Sequence, residues 1–315
     1  MSAIPEFDDV LAAAARIAAH AQVTPVRRSR SLDALAGCEL HFKCENLQRA
    51  GAFKFRGACN AVWSLNDDDA ARGVLTHSSG NHGAALALAA KTRGIPAHVV
   101  VPEGAVRSKM AAIEAFGARL HVCAPTFAAR EATAESLRQS TGARLVHPFQ
   151  DPAVIAGQGT AAMELLKEVG ELDILVAPVG GGGLISGTAI AARALAPKAR
   201  VIGAEPSGAS DAWESLRQGA RVAEMTPETI CDGLRGIIGE INFALMREHG
   251  VEVLLADDDE IRRAMRLLWE RLKLLVEPSS AIVFAAVLRN RERFAGRRVG
   301  LILSGGNVDL DHLPL

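Results

Sequence analysis

Short runs of consecutive apolar residues recur along this chain, separated by alanine-rich stretches with helical spacing. "AHVVV" (97–101) follows a helix-like segment at 82–92, and "DILVAPV" (173–179) follows "AAMELLKEVG". The alternation returns at "ARVIGAE" (199–205) and "RRVGLILS" (297–304). A strand that is apolar at every position is covered on both faces, so the pattern predicts an α/β fold with helices flanking mostly parallel sheets. No Pro/Ser linker, repeat or low-complexity tract divides the chain. The two prolines and turn residues of "HPFQDP" (147–152) are where the backbone is expected to cross between lobes.

Composition narrows the classes. The chain has 315 residues, 49% of them hydrophobic, enough for one large domain or two modest ones. Its longest apolar runs, such as "AALALAA" (84–90), are far too short to span a bilayer. The amino-terminal segment places Glu6, Asp8 and Asp9 ahead of its apolar stretch, the reverse of a signal peptide, so a cytoplasmic protein is expected. A formal charge of -1 without a basic block offers no footprint for nucleic acid or anionic membrane, which leaves a small molecule as the expected partner. The five cysteines, at 38, 44, 59, 123 and 231, lack CxxC spacing and read as buried free thiols.

Candidate chemistry begins with a lysine. Seven of the 35 basic residues are lysines, and one of them, Lys54, stands between Phe53 and Phe55 in "ENLQRAGAFKFRGACNA". A surface lysine with its stem on an apolar patch is one reading. The other is a site that needs an amine, since a guanidinium neither loses its proton nor condenses with a carbonyl.

Glycines cluster where a ligand can approach backbone. In "APVGGGGLISGTAIAARAL" an apolar strand ends at Val179, Gly180 to Gly183 turn, and a helix begins near Leu184. Bare N–H groups at a helix start form an anion cradle. Neither a Walker A loop nor GxGxxG fits, so a phosphate that is not part of a nucleotide is the expected guest, against the alternative of a flexible turn. "LTHSSGNHGAALALAAK" (75–91) puts Ser78, Ser79, Gly80, Asn81 and His82 at a helix mouth, suited to a carboxylate or to ordinary capping. "LILSGGNVDL" ends a strand at Ser304 and lets something pass close to Gly305 and Gly306.

With Lys54, Ser78-Ser79-Gly80-Asn81-His82-Gly83, Gly180 to Gly183 and Ser304-Gly305-Gly306-Asn307 in this order, the chain resembles the serine/threonine dehydratase and serine racemase family. These are pyridoxal 5'-phosphate enzymes of the tryptophan-synthase-β fold, fold type II. The resemblance runs from "VTPV" (23–26) to "GGNVDL" (305–310). It implies a two-lobed α/β architecture, with residues 1–72 and 151–315 as a large cofactor-binding domain and 73–150 as a small mobile domain. Lys54 then looks like the Schiff-base lysine, kept nucleophilic by desolvation between Phe53 and Phe55. The resemblance further places Phe53 against the pyridine ring, Asn81 on the ring's 3-oxygen, Gly180 to Gly183 on the phosphate and Ser304 on the ring nitrogen.

A serine hydroxyl at that nitrogen makes a milder electron sink than a carboxylate, which suits loss of a Cα proton coupled to departure of a β-hydroxyl. The implied activity is β-elimination of a 3-hydroxy amino acid such as L-serine or L-threonine to a 2-oxo acid and ammonia. Lys54 and Ser79 would be bases on opposite faces, which also permits racemisation. Ser78, Ser79, Asn81, His82 and Arg130 are the candidate substrate contacts. Arg130 matches an arginine that can meet a second carboxylate in racemase-type and hydroxyaspartate-type members; the alternative is a surface arginine in a first helical turn. Phe149 stands where racemase types carry asparagine and dehydratases commonly phenylalanine, which favours elimination.

In "AEPSGASDAW" (204–213), the family's divalent-cation ligands would be Glu205, the Ala209 carbonyl and Asp211, oxygen donors suited to Mg²⁺ or Ca²⁺; solvated loop acids are the alternative. The chain ends at Leu315, just past the last matched motif, so no regulatory domain and no feedback by isoleucine are expected. A homodimer is the family habit. The rival activities are an amino-acid racemase or a 3-hydroxyaspartate ammonia-lyase in the same site, and, from another class, an inactive binding protein that keeps the fold.

Overall fold

The computed structural model describes residues 4–105 and 107–314. Its strands are β1 (Val26–Arg27), β2 (Glu39–Cys44), β3 (Val74–Thr76), β4 (Ala97–Pro102), β5 (Arg119–Cys123), β6 (Arg144–Leu145), β7 (Ile174–Pro178), β8 (Arg200–Pro206), β9 (Glu252–Ala256) and β10 (Arg298–Leu303). They form two sheets. One runs β1-β2-β10-β7-β8-β9 and is parallel except for the antiparallel β1–β2 pair; the other runs β5-β4-β3-β6 and is parallel throughout. The two-lobed α/β expectation holds, and the four apolar runs quoted above fall on β4, β7, β8 and β10 to within a residue or two.

Both faces of the larger sheet are covered, which is why its central strands read as unbroken apolar runs. On one side Phe42, Val299 and Leu301 pack on Ile282 and Phe284 of the helix Pro278–Arg289. On the other, Leu175, Ala177 and Ile302 meet Ile155 and Leu165 of the helix Pro152–Val169 and Ile185 of the helix Gly183–Leu195. The crossing at 147–152 ends in that first helix, started by Pro152 at its first position and by Asp151, whose carboxylate accepts from the Ala153 N–H at 2.9 Å.

Strands β3 to β6 lie between residues 74 and 145, inside the span expected for the small domain. Its core is not confined to that span. Phe55, Ala58 and Val62 of the helix Lys54–Trp63 join Val74, Val99 and Val101 in one cluster with Ala85, Leu86 and Ala89 of the helix Asn81–Arg93. The lysine-bearing helix is therefore wedged between the two sheets. It also touches the helix Pro152–Val169 backbone to backbone: a Cβ added at Gly157 would lie 2.6 Å from the Gly57 Cα.

Beneath Lys54 the wedge carries a fully buried guanidinium. Arg56 donates to both oxygens of Glu45 (2.7 and 2.8 Å) and both of Glu164 (2.6 and 2.7 Å), while Lys43 donates to Glu164 at 2.6 Å and to the Thr24 carbonyl at 2.7 Å. Two cations and two carboxylates balance, tying β2 and the turn after it to both helices. All five cysteines are free and buried, as expected. Among the described residues, no helix is long and apolar enough to cross a membrane.

Candidate active site

Neighbouring strands β2, β10 and β7 each end in a segment singled out in the sequence: residues 45–54, Ser304–Asn307 and Gly180–Gly183. Strand β3 of the other sheet leads directly into His77–Asn81. Crevices outside the carboxyl ends of parallel strands are where α/β folds bind ligands.

Lys54 is the first residue of its helix. Its Nζ donates to the Pro148 carbonyl at 2.9 Å and lies 5.1 Å from the centre of the Phe53 ring. Loss of water around the amine lowers its pKa to about 8, although the nearby charge of Glu277 acts in the opposite direction. The Phe53 N–H donates to the Ser304 carbonyl at 2.9 Å, which couples this segment to the end of β10. Ser304 is buried, and its hydroxyl stands 3.4 Å from the Ser279 carbonyl, too long for a strong O–H···O bond.

Gly180, Gly181 and Gly182 are each glycine for a packing reason. A Cβ at Gly180 would lie 2.9 Å from the Leu234 Cα, one at Gly181 2.3 Å from the Phe149 ring, and one at Gly182 2.4 Å from the Ile238 Cδ1. Gly182 also has φ of +92°. Asn242 holds the loop by donating to the carbonyls of Gly181 (2.6 Å) and Phe149 (2.9 Å). No side chain caps the first N–H groups of the helix Gly183–Leu195, which suits an anion there.

Ser78, Ser79 and Gly80 are half-buried between β3 and the helix Asn81–Arg93. His82 turns its ring inward: it is 1% exposed, with Nε2 3.3 Å from the Val146 carbonyl, so only its backbone belongs to the mouth. His77 stands edge-on to His147 at 5.4 Å, and His147 edge-on to Phe149 at 4.5 Å. Burial, together with the charges of His77 and Lys54, lowers the His147 pKa to about 3. Its Nδ1 therefore stays free to accept the Gln150 N–H at 3.1 Å, fixing the turn whose Pro148 carbonyl meets Lys54.

Arg130 lies near the start of the helix Phe127–Thr141 and is half-buried, with its Nε shielded from solvent. Burial lowers the His77 pKa and the Arg130 charge lowers it further, against an opposing pull from Glu131. That charge thus reaches the residue preceding Ser78.

One residue here was not anticipated. Glu277, 3% exposed, accepts from the Asn81 Nδ2 at 2.9 and 3.2 Å and from the Asn307 N–H at 3.1 Å. The Asn307 side chain in turn donates to the Asn81 Oδ1 at 2.9 Å. Asn307 belongs to a quoted motif, but Glu277 lies in "VEPSS", where a Glu before Pro reads as a helix start and nothing more.

Away from this crevice, Glu205 closes β8 and accepts from the N–H groups of Ala212 (2.9 Å) and Trp213 (2.8 Å), while Asp211 accepts from Ile238 N–H at 2.7 Å. Ala209 lies buried in the turn between them. Among the described residues, no lysine or arginine lies within ion-pair distance of either acid, and no three His, Cys, Asp or Glu side chains group to hold a metal. Burial raises the pKa of both, that of Asp211 to about 6, and the Asp211 charge adds to the rise at Glu205. Two buried carboxylates, with only the Arg221 charge acting on Asp211 from a distance, fit a hard divalent cation.

A model of the family described as "Pyridoxal-phosphate dependent enzyme" matches residues 17–305. The chain belongs to this family. It is 49% identical over 311 residues to a beta-hydroxyaspartate dehydratase of Paracoccus denitrificans, covering 99% of both chains. It is 46% identical to a serine racemase of Dictyostelium discoideum, covering 97% of this chain and 95% of that one. A solved maize serine racemase superposes with a TM-score of 0.96 at 43% identity, covering 98% of this chain and 95% of the other. Family and fold are those the four motifs implied, and the activity class is that of the pyridoxal-phosphate dependent lyases and racemases.

The crevice fits the cofactor. It offers an amine of lowered pKa, a glycine loop leading into a helix start that no side chain caps, and a buried serine hydroxyl without a close acceptor.

Proposed function

We propose that the protein catalyses β-elimination of a 3-hydroxy amino acid to a 2-oxo acid and ammonia, with a 3-hydroxyaspartate as its preferred substrate. Bound pyridoxal 5'-phosphate supplies an aldehyde carbon for the amine and an electron-withdrawing ring. The glycine loop would hold its phosphate, Phe53 would pack on the ring, and the Ser304 hydroxyl and the Asn81 amide would be the donors to its ring nitrogen and 3-oxygen. Ser78 and the first-turn N–H groups after Gly80 receive the substrate α-carboxylate. The Lys54 Nζ accepts the Cα proton, and the Ser79 hydroxyl faces the carbon from the other side. Phe149 narrows the crevice and excludes water. Residues 73–150 form the small unit that moves over the bound substrate.

The observation that carries the substrate choice is the half-buried Arg130, whose charge acts on His77 at the edge of the serine loop. A guanidinium there suits a β-carboxylate, and the Paracoccus relative's name agrees. This departs from the serine or threonine preference that the family resemblance implied. Losing a charge-assisted contact costs about 1.5–3 kcal/mol. Arg130→Ala is therefore expected to lower kcat/KM on 3-hydroxyaspartate by roughly ten- to a hundredfold while changing serine elimination little. Parallel losses on both substrates would count against the assignment. Racemisation is the second reading, favoured by Lys54 and Ser79 as paired bases and by the racemase relatives. Assaying inverted amino acid beside 2-oxo acid separates the two.

We further propose that Glu205, Asp211 and the Ala209 carbonyl hold Mg²⁺ or Ca²⁺ as a structural ion. A ligand that binds the folded state alone raises stability by mass action. Chelator should lower the melting temperature, Mg²⁺ or Ca²⁺ should restore it, and Asp211→Ala should melt like the chelated protein. A melting curve indifferent to chelator sinks the idea.

A further inference from the structure

We propose that Glu277 is a positioning residue that sets the orientation of the Asn81 amide and so decides which of its atoms faces the cofactor. This rests on the reading of the crevice as a pyridoxal-phosphate site. The Glu277 carboxylate is nearly inaccessible to solvent, and it serves the site rather than its own helix: Glu277 precedes Pro278–Arg289, yet its side chain makes no capping bond there. It reaches instead to the Asn81 Nδ2 through both oxygens, at 2.9 and 3.2 Å. Gly305 makes room for it, because a Cβ there would stand 2.7 Å from the Glu277 Oε1.

The chemistry of the partners leaves Asn81 one orientation. An ionised carboxylate only accepts, so the amide edge turned toward it is the NH₂ group. The carbonyl edge then faces Asn307, whose Nδ2 donates to the Asn81 Oδ1 at 2.9 Å and to the Ala50 carbonyl at 2.8 Å. A second donor from Asn307, its backbone N–H, closes the circuit on the Glu277 Oε2 at 3.1 Å. When one Asn81 N–H is shared between the two carboxylate oxygens, the other remains for a further acceptor, such as the ring oxygen.

Glu277→Gln keeps the size and removes the acceptor-only character. The new NH₂ meets a donor whichever way it points, either the Asn81 amide or the Asn307 N–H. Flipping Asn81 to relieve the first clash sets its NH₂ against the Asn307 NH₂. Asn81 is thus released from its single orientation.

The test uses cofactor-free protein titrated with pyridoxal 5'-phosphate, comparing wild type, Glu277→Gln and Asn307→Ala. Dissociation constant, absorption spectrum of the bound cofactor and melting temperature before addition are measured together. Glu277→Gln should bind at least about tenfold more weakly, with a shifted absorption maximum, because the donor to the ring oxygen is misdirected. Asn307→Ala should move both in the same direction by a smaller factor, and it decides the matter if the glutamine variant fails to fold. A folded Glu277→Gln, or failing that Asn307→Ala, with affinity within about twofold of wild type and an unchanged spectrum overturns the inference. Wild type that binds no cofactor would instead overturn the reading on which it rests.

Discussion

Replacing Lys54 by alanine is expected to abolish borohydride-trappable attachment of the cofactor and to lower elimination by at least about a thousandfold, since the amine that condenses with the aldehyde is lost. Lys54→Arg should fail equally: a guanidinium preserves charge but cannot condense with an aldehyde. Turnover above trace level in either variant, with cofactor present, would remove Lys54 from its role.

The same residue carries a pH signature. Only the neutral amine condenses, and the buried Nζ of the cofactor-free protein has its pKa lowered to about 8. The fraction of neutral amine therefore grows with pH up to that value and saturates above it. The rate of covalent attachment should rise roughly tenfold per pH unit below about 8 and then level off. A rate still climbing steeply at pH 10 would mean that the amine is as solvated as an ordinary lysine.

The parts legible in the sequence were those whose physics is local. Val99 to Val101 and Leu301 to Leu303 read as strands because every side chain in them is buried, and the loop at Gly180 stood out as four consecutive glycines, three of which leave no room for a Cβ. Lys54 stood out by its rarity among arginines. What escaped notice depends on chain segments distant in sequence. Glu277 meets Asn81 across 196 positions, and nothing in "VEPSS" encodes that meeting. His82 sits in a conspicuous serine-rich stretch, yet the start of a helix turns its ring inward, because alternate side chains of a first turn cannot all face one ligand. Its neighbour Asn81 points out. The boundary near residue 72 follows the motif order, while the packing of Phe55 and Val62 against Val74 and Val99 ignores it.

Arg56 escaped notice too, and it carries the largest expected effect on stability. The guanidinium and its Glu45 partner are both fully buried, so each charge has given up water for the other. Burial alone would lower the Arg56 pKa, but Glu45 and Glu164 outweigh it and hold the proton more firmly than in water. Arg56→Met fills similar volume and leaves Lys43 facing two carboxylates. Lys43 already binds Glu164, so the excess negative charge falls on Glu45, with no solvent to screen it. Removing one partner of a buried pair costs about 3–5 kcal/mol, and that loss is expected in urea denaturation of the cofactor-free protein. Adding Glu45→Gln to Arg56→Met restores neutrality, with Lys43 and Glu164 remaining paired, so the double variant should be more stable than the single one. That ordering separates charge from packing: if Arg56 acted mainly by filling space, the second substitution would cost stability again. A double variant less stable than Arg56→Met would therefore show that the contacts of the guanidinium, and not its charge, hold the lysine-bearing helix in place.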